Sequence, residues 1–122
     1  ENVGQKHSIS RLAQEEFALA SHHKAASAQA AGKFDAEIAA VDGVTTDGGV
    51  RADASLAAMA GLKPAFDANG TVTAATSSPI TDGAAAVLVC SLDFARKHGL
   101  QPLAQVKSMA VSGCAPDMMG LG

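Results

Sequence analysis

The sequence predicts an α/β architecture, and three observations carry that expectation. Residues 11–31 are rich in alanine and follow Ser10, so they read as a long capped helix that Gly32 ends. Residues 84–90, AAAVLVC, form a continuous apolar run of buried-strand length. Between residues 84 and 111 the order strand, short helix, strand is α/β-like, with Pro102 leading into a second strand over 103–111.

The helix over 11–31 draws its apolar bulk from Leu12, Phe17 and Leu19. Its capping box lacks the usual acid, because position 13 is alanine. Residues 33–41 bring Phe34 and Ile38 into an extended segment, and residues 42–49, DGVTTDGG, are a polar glycine-rich loop. A second helix is expected over 51–62, capped by Asp53 or Ser55, with Leu56, Met59 and Leu62 on one side; Gly61 and Pro64 end it. Asn69-Gly70 is a strong turn dipeptide, and Thr71, Val72 and Thr73 behind it are β-branched, which predicts a short strand. Residues 74–78 are then all small and precede Pro79, so the backbone there can approach a ligand or another segment closely. Ser91 caps a helix over 92–98, with Asp93 in its first turn and a Schellman-type stop at Gly99-Leu100.

Composition narrows the possible functions. The chain has 122 residues, one domain or less, and its 48% hydrophobic content is carried by alanine, with 3% aromatic residues. Such side chains bury little area at roughly 25 cal/mol per Å², so the core is thin. A net charge of −3 offers no basic stripe for nucleic acid. No apolar run approaches the ~18 residues of a membrane span, and no signal-peptide pattern opens the chain. Two cysteines are too few for a disulfide scaffold, so a reducing compartment is expected, the cytoplasm or an organelle matrix. The opening residue is Glu rather than Met, and the chain is expected to be a piece of a longer protein.

Few side chains suggest chemistry on their own. Cys90 sits in the predicted buried strand, where a thiol acts as a small hydrophobe, and Cys114 lies in a loop beside Pro116. His22 and His23 are adjacent on a helix and point about 100° apart, so they do not chelate one metal; a solvated helix face is expected. No H-E-x-x-H or C-x-x-C occurs, and no metal site is expected.

Several blocks together resemble the thiolase family. Residues 71–78 and 80–87 match T-V-T-A-G/A-N-A/S-S and the N/T-D-G-A-A-A-L/V that follows it. Glu1-Asn2-Val3 matches the end of T-A-E-N-V, and Ile9-Ser10-Arg11 with Gln14 and Phe17-Ala18 matches I-S-R-x-x-Q-D-x-F-A. Leu62-Lys63-Pro64-Ala65-Phe66 matches L-K/R-P-A-F, and Met119-Gly120-Leu121-Gly122 matches M-G-x-G. The blocks keep family order across nearly the whole chain.

The resemblance implies a central fragment of the αβαβα-layered thiolase fold. Residues 1–78 would be the mostly helical loop, or lid, region. Residues 79–101 would be the last strand and helix of the N-terminal half, and residues 102–122 the first strand of the C-terminal half. The intact protein would be an acetyl-CoA C-acyltransferase, transferring acyl groups between acyl-CoA and coenzyme A by thiolysis or Claisen condensation. It would work as a dimer or tetramer, with coenzyme A as substrate and no prosthetic group. The family's N-E-A-F, G-H-P and C-x-G-G-G motifs, which carry its catalytic cysteines, histidines and asparagine, do not occur here, so the 122 residues alone are expected to be inactive. The matching blocks instead imply a coenzyme A site. Ser78 would hydrogen-bond the pantetheine arm, Ala74 and Phe66 would line its tunnel, and Arg51 would either meet the nucleotide end or be a solvated loop charge. Thr76 stands where the family has Asn, which removes an amide that would brace the loop. Two alternatives stay open: a non-catalytic thiolase-like protein that binds coenzyme A, and a structural or interaction module without that function.

Overall fold

A computed structural model describes all residues, Glu1–Gly122, and divides them into two compact units, Glu1–Pro79 and Ile80–Gly122.

The first unit is built on helix α2, Arg11–Ala30. Ser10 begins it: its side chain accepts the Ala13 N–H at 3.2 Å and satisfies one of the donors a helix start leaves free. Replacing Ser10 by alanine is expected to lower the unfolding free energy by about 1 kcal/mol, measured by urea titration of the full-length protein. Gly32 ends the helix at φ +65°, where Lys33 N donates to Ala28 O at 3.0 Å and Gly32 N to Gln29 O at 2.9 Å, the two bonds of a Schellman stop. Helix α1, Asn2–Lys6, closes the same way, with Ser8 instead of glycine in the left-handed region.

Helix α3 spans Leu56–Ala60 and is capped by Ser55, shorter than the expected 51–62. The expected extended segment after α2 is instead turned, with Glu37 N and Ile38 N both donating to Phe34 O. Asp42 and Gly43, both at positive φ, make a tight turn between Val41 and Val44, which form an isolated antiparallel bridge. Residues 74–76 form a single 3₁₀ turn, Ala74–Thr76.

The expected strand at 71–73 is absent. Its amides find side-chain oxygens in place of a neighbouring strand, while Val72 O accepts from Ala65 N at 2.9 Å and Thr73 O from Thr76 N at 3.1 Å. The side chains buried in this unit are Met59, Glu15 and Thr73, so polar connections hold it more than an apolar core does.

The second unit contains helix α4, Leu92–Lys97, and a closing 3₁₀ segment, Pro116–Leu121. Ser91 accepts the Phe94 N–H at 3.1 Å, and Gly99 at φ +64° stops the helix with Leu100 N donating to Ala95 O at 2.9 Å. The His98 ring lies against Phe94, with centroids 4.2 Å apart. Neither expected strand forms: residues 84–90 and 103–111 carry no ladder, and Val87, Leu103 and Val111 are almost fully exposed. A strand persists only where a neighbour takes up its N–H and C=O groups, and neither stretch forms a ladder with any other segment of these 122 residues. For the same reason Cys90, expected to be buried, is exposed, as is Cys114. The α/β expectation thus keeps its helices and loses its sheet within this chain.

Candidate functional site

The site is built from the small-residue loop at 71–79 and the face of α2 opposite it. The loop is anchored at its start by Glu1. Thr71 N donates to both carboxylate oxygens at 3.0 Å, Val72 N donates at 2.8 Å, and the Thr71 hydroxyl donates at 3.2 Å. The two backbone N–H groups, Thr71 first and then Val72, hold the Glu1 carboxyl below its ordinary range, against a smaller opposing effect of burial. Gln14 joins this anchor to α2: its side-chain amide donates to Thr71 Oγ1 at 2.9 Å and to Ile9 O at 3.3 Å.

The loop then closes on Thr73, which is wholly buried. Thr73 Oγ1 accepts the Ala75 N–H, and Thr73 N donates to Thr76 Oγ1 at 3.0 Å, making a reciprocal cap around the 3₁₀ turn. Ser77 Oγ donates back to Thr73 O at 2.9 Å. Thr76, which has no amide to offer where the family has Asn, thus braces the loop with its hydroxyl.

Arg11 fixes α3 against α2. Its Nη2 donates to the carbonyl oxygens of Met59, Ala60 and Leu62 at 3.0, 3.3 and 2.7 Å, while Nε pairs with the buried Glu15 carboxylate at 2.7 Å. A guanidinium on the last carbonyls of a helix satisfies acceptors that the helix leaves open.

Between α2 and the loop lies a groove of about 650 Å³. Ala13, Gln14, Phe17, Ser21 and His22 form its helix side, and residues 75–79 form its loop side. The wall is chiefly apolar, and Gln14, Ser21, His22, Thr76, Ser77 and Ser78 are the polar residues among those that line it. Ser78 is thus on the groove. Ala74 opens the 3₁₀ turn and is exposed outside it, and Phe66, 80% exposed, is also outside it. The exposed Arg51 reaches the groove's edge only through its backbone, whose N–H donates to His22 Nδ1 at 3.1 Å. His22 is consequently half-buried and partnered, which corrects the expectation of a solvated helix face.

Sequence reasoning assigned no role to Glu1, Arg11, Glu15 or Gln14. The spacing Arg11-x-x-x-Glu15 signals an i,i+4 pair and was findable. The Glu1 anchor joins groups 70 residues apart and carries no local signal.

The chain is similar in sequence and in backbone to known proteins. Residues 1–93 match the family model for the thiolase N-terminal domain. The chain is 52% identical over 131 residues to the acetyl-CoA acetyltransferase of Cupriavidus necator, covering all of this chain and 33% of that protein. It is 49% identical over 132 residues to the 3-ketoacyl-CoA thiolase of Aliivibrio fischeri, covering 34% of that protein. Its backbone superposes on human mitochondrial 3-ketoacyl-CoA thiolase, solved in complex with CoA, with a TM-score of 0.92 and 38% identity, over 99% of this chain and 32% of that one.

The chain belongs to the thiolase family, and it spans about a third of the length of the relatives it matches. The match puts residues 1–93 in the family's N-terminal domain, which corrects the expectation of a central fragment; residues 94–122 lie beyond it. No helix is long and apolar enough to cross a membrane.

Proposed function

We propose that this chain is the coenzyme A-binding part of a thiolase that transfers acyl groups between acyl-CoA and coenzyme A. The observation that carries the proposal is the groove between α2 and residues 75–79. It is chiefly apolar and is lined by several hydroxyl-bearing residues, which suits a pantetheine arm with its methylenes and amides. Ser78 hydrogen-bonds the arm; Ala74 and Phe66 flank its path; Arg51 meets the nucleotide. The substrate is acyl-CoA, and no prosthetic group is needed. The reacting cysteines and histidines come from sequence outside these 122 residues, so the segment alone does not turn over.

In the same reading residues 1–78 form the lid region. Residues 79–101 form the edge of the N-terminal half, and residues 102–122 lead into the half that follows. The exposed apolar stretches at 84–90 and 103–111 pair there with strands of the remaining fold, in a homo-oligomer working in the cytoplasm or an organelle matrix.

The test is calorimetric titration of the full-length protein with free coenzyme A. Ser78→Ala is expected to raise Kd roughly two- to tenfold, the equivalent of one neutral hydrogen bond of about 0.5–1.5 kcal/mol. No binding by the unaltered protein at millimolar coenzyme A sinks the proposal and leaves a structural or interaction role.

A further inference from the structure

We infer that Thr76 is a positioning residue for the bound ligand, setting the loop that presents Ser77 and Ser78 to the groove. The inference rests on the coenzyme A reading above. Three donors converge on Thr73 O: the Thr76 N–H at 3.1 Å, the Ser77 hydroxyl at 2.9 Å and the Thr76 hydroxyl at 3.3 Å. A carbonyl oxygen has two lone pairs, and the two shorter contacts fill them. The donor side of the Thr76 hydroxyl is therefore the dispensable one. Its acceptor side is not: Thr76 Oγ1 takes the Thr73 N–H, and Thr73 is wholly buried, so that amide has no water to turn to.

Removing this acceptor leaves Thr73 N unpaired and frees the 3₁₀ turn to unwind. Ser77 is tied to Thr73 O, and Ser78 follows it directly, so both groove-lining residues move when the turn does. The structure thus demands an acceptor at position 76 rather than a particular side chain. Serine or asparagine supplies one; valine, of nearly the same shape as threonine, does not.

The test compares coenzyme A binding and steady-state kinetics of the full-length protein carrying Thr76→Val, Thr76→Ser or Thr76→Asn. Thr76→Val is expected to raise the Kd for free coenzyme A roughly fivefold or more, and the KM for acyl-CoA with it, while kcat stays within twofold. Thr76→Ser and Thr76→Asn are expected to bind within twofold of the unaltered protein. A purely structural role lowers the melting temperature of Thr76→Val without moving Kd or KM in the folded fraction, and that result overturns the inference. Equal binding by all three variants overturns it too, while leaving the coenzyme A reading intact. Failure of the unaltered protein to bind overturns both. If Thr76→Val does not fold, Thr76→Cys, whose sulfur is a weak acceptor, takes its place with the same expected loss.

Discussion

Replacing Arg11 by leucine is expected to destabilise the full-length protein by about 3–5 kcal/mol, seen as a lower urea midpoint. Two losses combine. The Glu15 side chain is 4% exposed, and without Arg11 Nε at 2.7 Å it is a carboxylate removed from water with no counter-charge. Breaking such a pair from one side is far worse than removing both partners, because the remaining charge stays desolvated. The carbonyls of Met59, Ala60 and Leu62 also lose their shared donor, and the short helix α3 loses its tie to α2. Arg11→Lys is expected to recover part of the loss, since an ammonium keeps the charge but not the planar fork that serves Glu15 and the carbonyls together. The double change Arg11→Leu with Glu15→Leu is expected to be more stable than Arg11→Leu alone. If Arg11→Leu unfolds at the same urea concentration as the unaltered protein, the pair and the cap carry little of this unit's stability.

Local signals made the helices legible and left the site's supports hidden. Ser10, Ser55 and Ser91 are N-caps because a hydroxyl one step before a helix meets a free amide, and that relation spans three residues of sequence. Gly32 and Gly99 are stops because they take up positive φ, again a local property. The strands read at 84–90 and 103–111 failed for the opposite reason: apolar β-branched sequence states a preference that only a paired neighbour fulfils. Of the four side chains assigned to coenzyme A, Ser78 alone lines the groove. The groove itself depends on Phe17 and His22 of α2 facing residues 75–79, a relation that no spacing in the sequence encodes. Family resemblance supplied the blocks E-N-V and I-S-R-x-x-Q without a reason for them. Hydrogen bonds supply it: Glu1 seats the loop, Gln14 links it to α2, and Arg11 holds α3.

Adding one methyl group at Gly70 is expected to undo the Glu1 anchor. A Cβ there sits against the Glu1 carboxylate, with its carboxyl carbon 2.8 Å away and Asp67 O at 3.0 Å. Glycine is required for space rather than for backbone freedom, since its φ lies outside the left-handed region. Gly70→Ala therefore pushes the carboxylate off the Thr71 and Val72 amides, and overpacking against Asp67 O adds strain of about 1–3 kcal/mol. The signature that separates the two effects is pH. Glu1's carboxyl is held below its ordinary value of 4.5 in the folded state, so the anchor stabilises fully above that value and is lost as pH falls below it, through the lowered folded value. The unaltered protein is expected to lose exchange protection at the Thr71 and Val72 amides over that acid range. Gly70→Ala is expected to lack the protection already at neutral pH and to show no further change there on acidification. Hydrogen exchange read at those two amides decides it: protection retained in Gly70→Ala at neutral pH means that Glu1 yields to the new methyl group and still seats the loop.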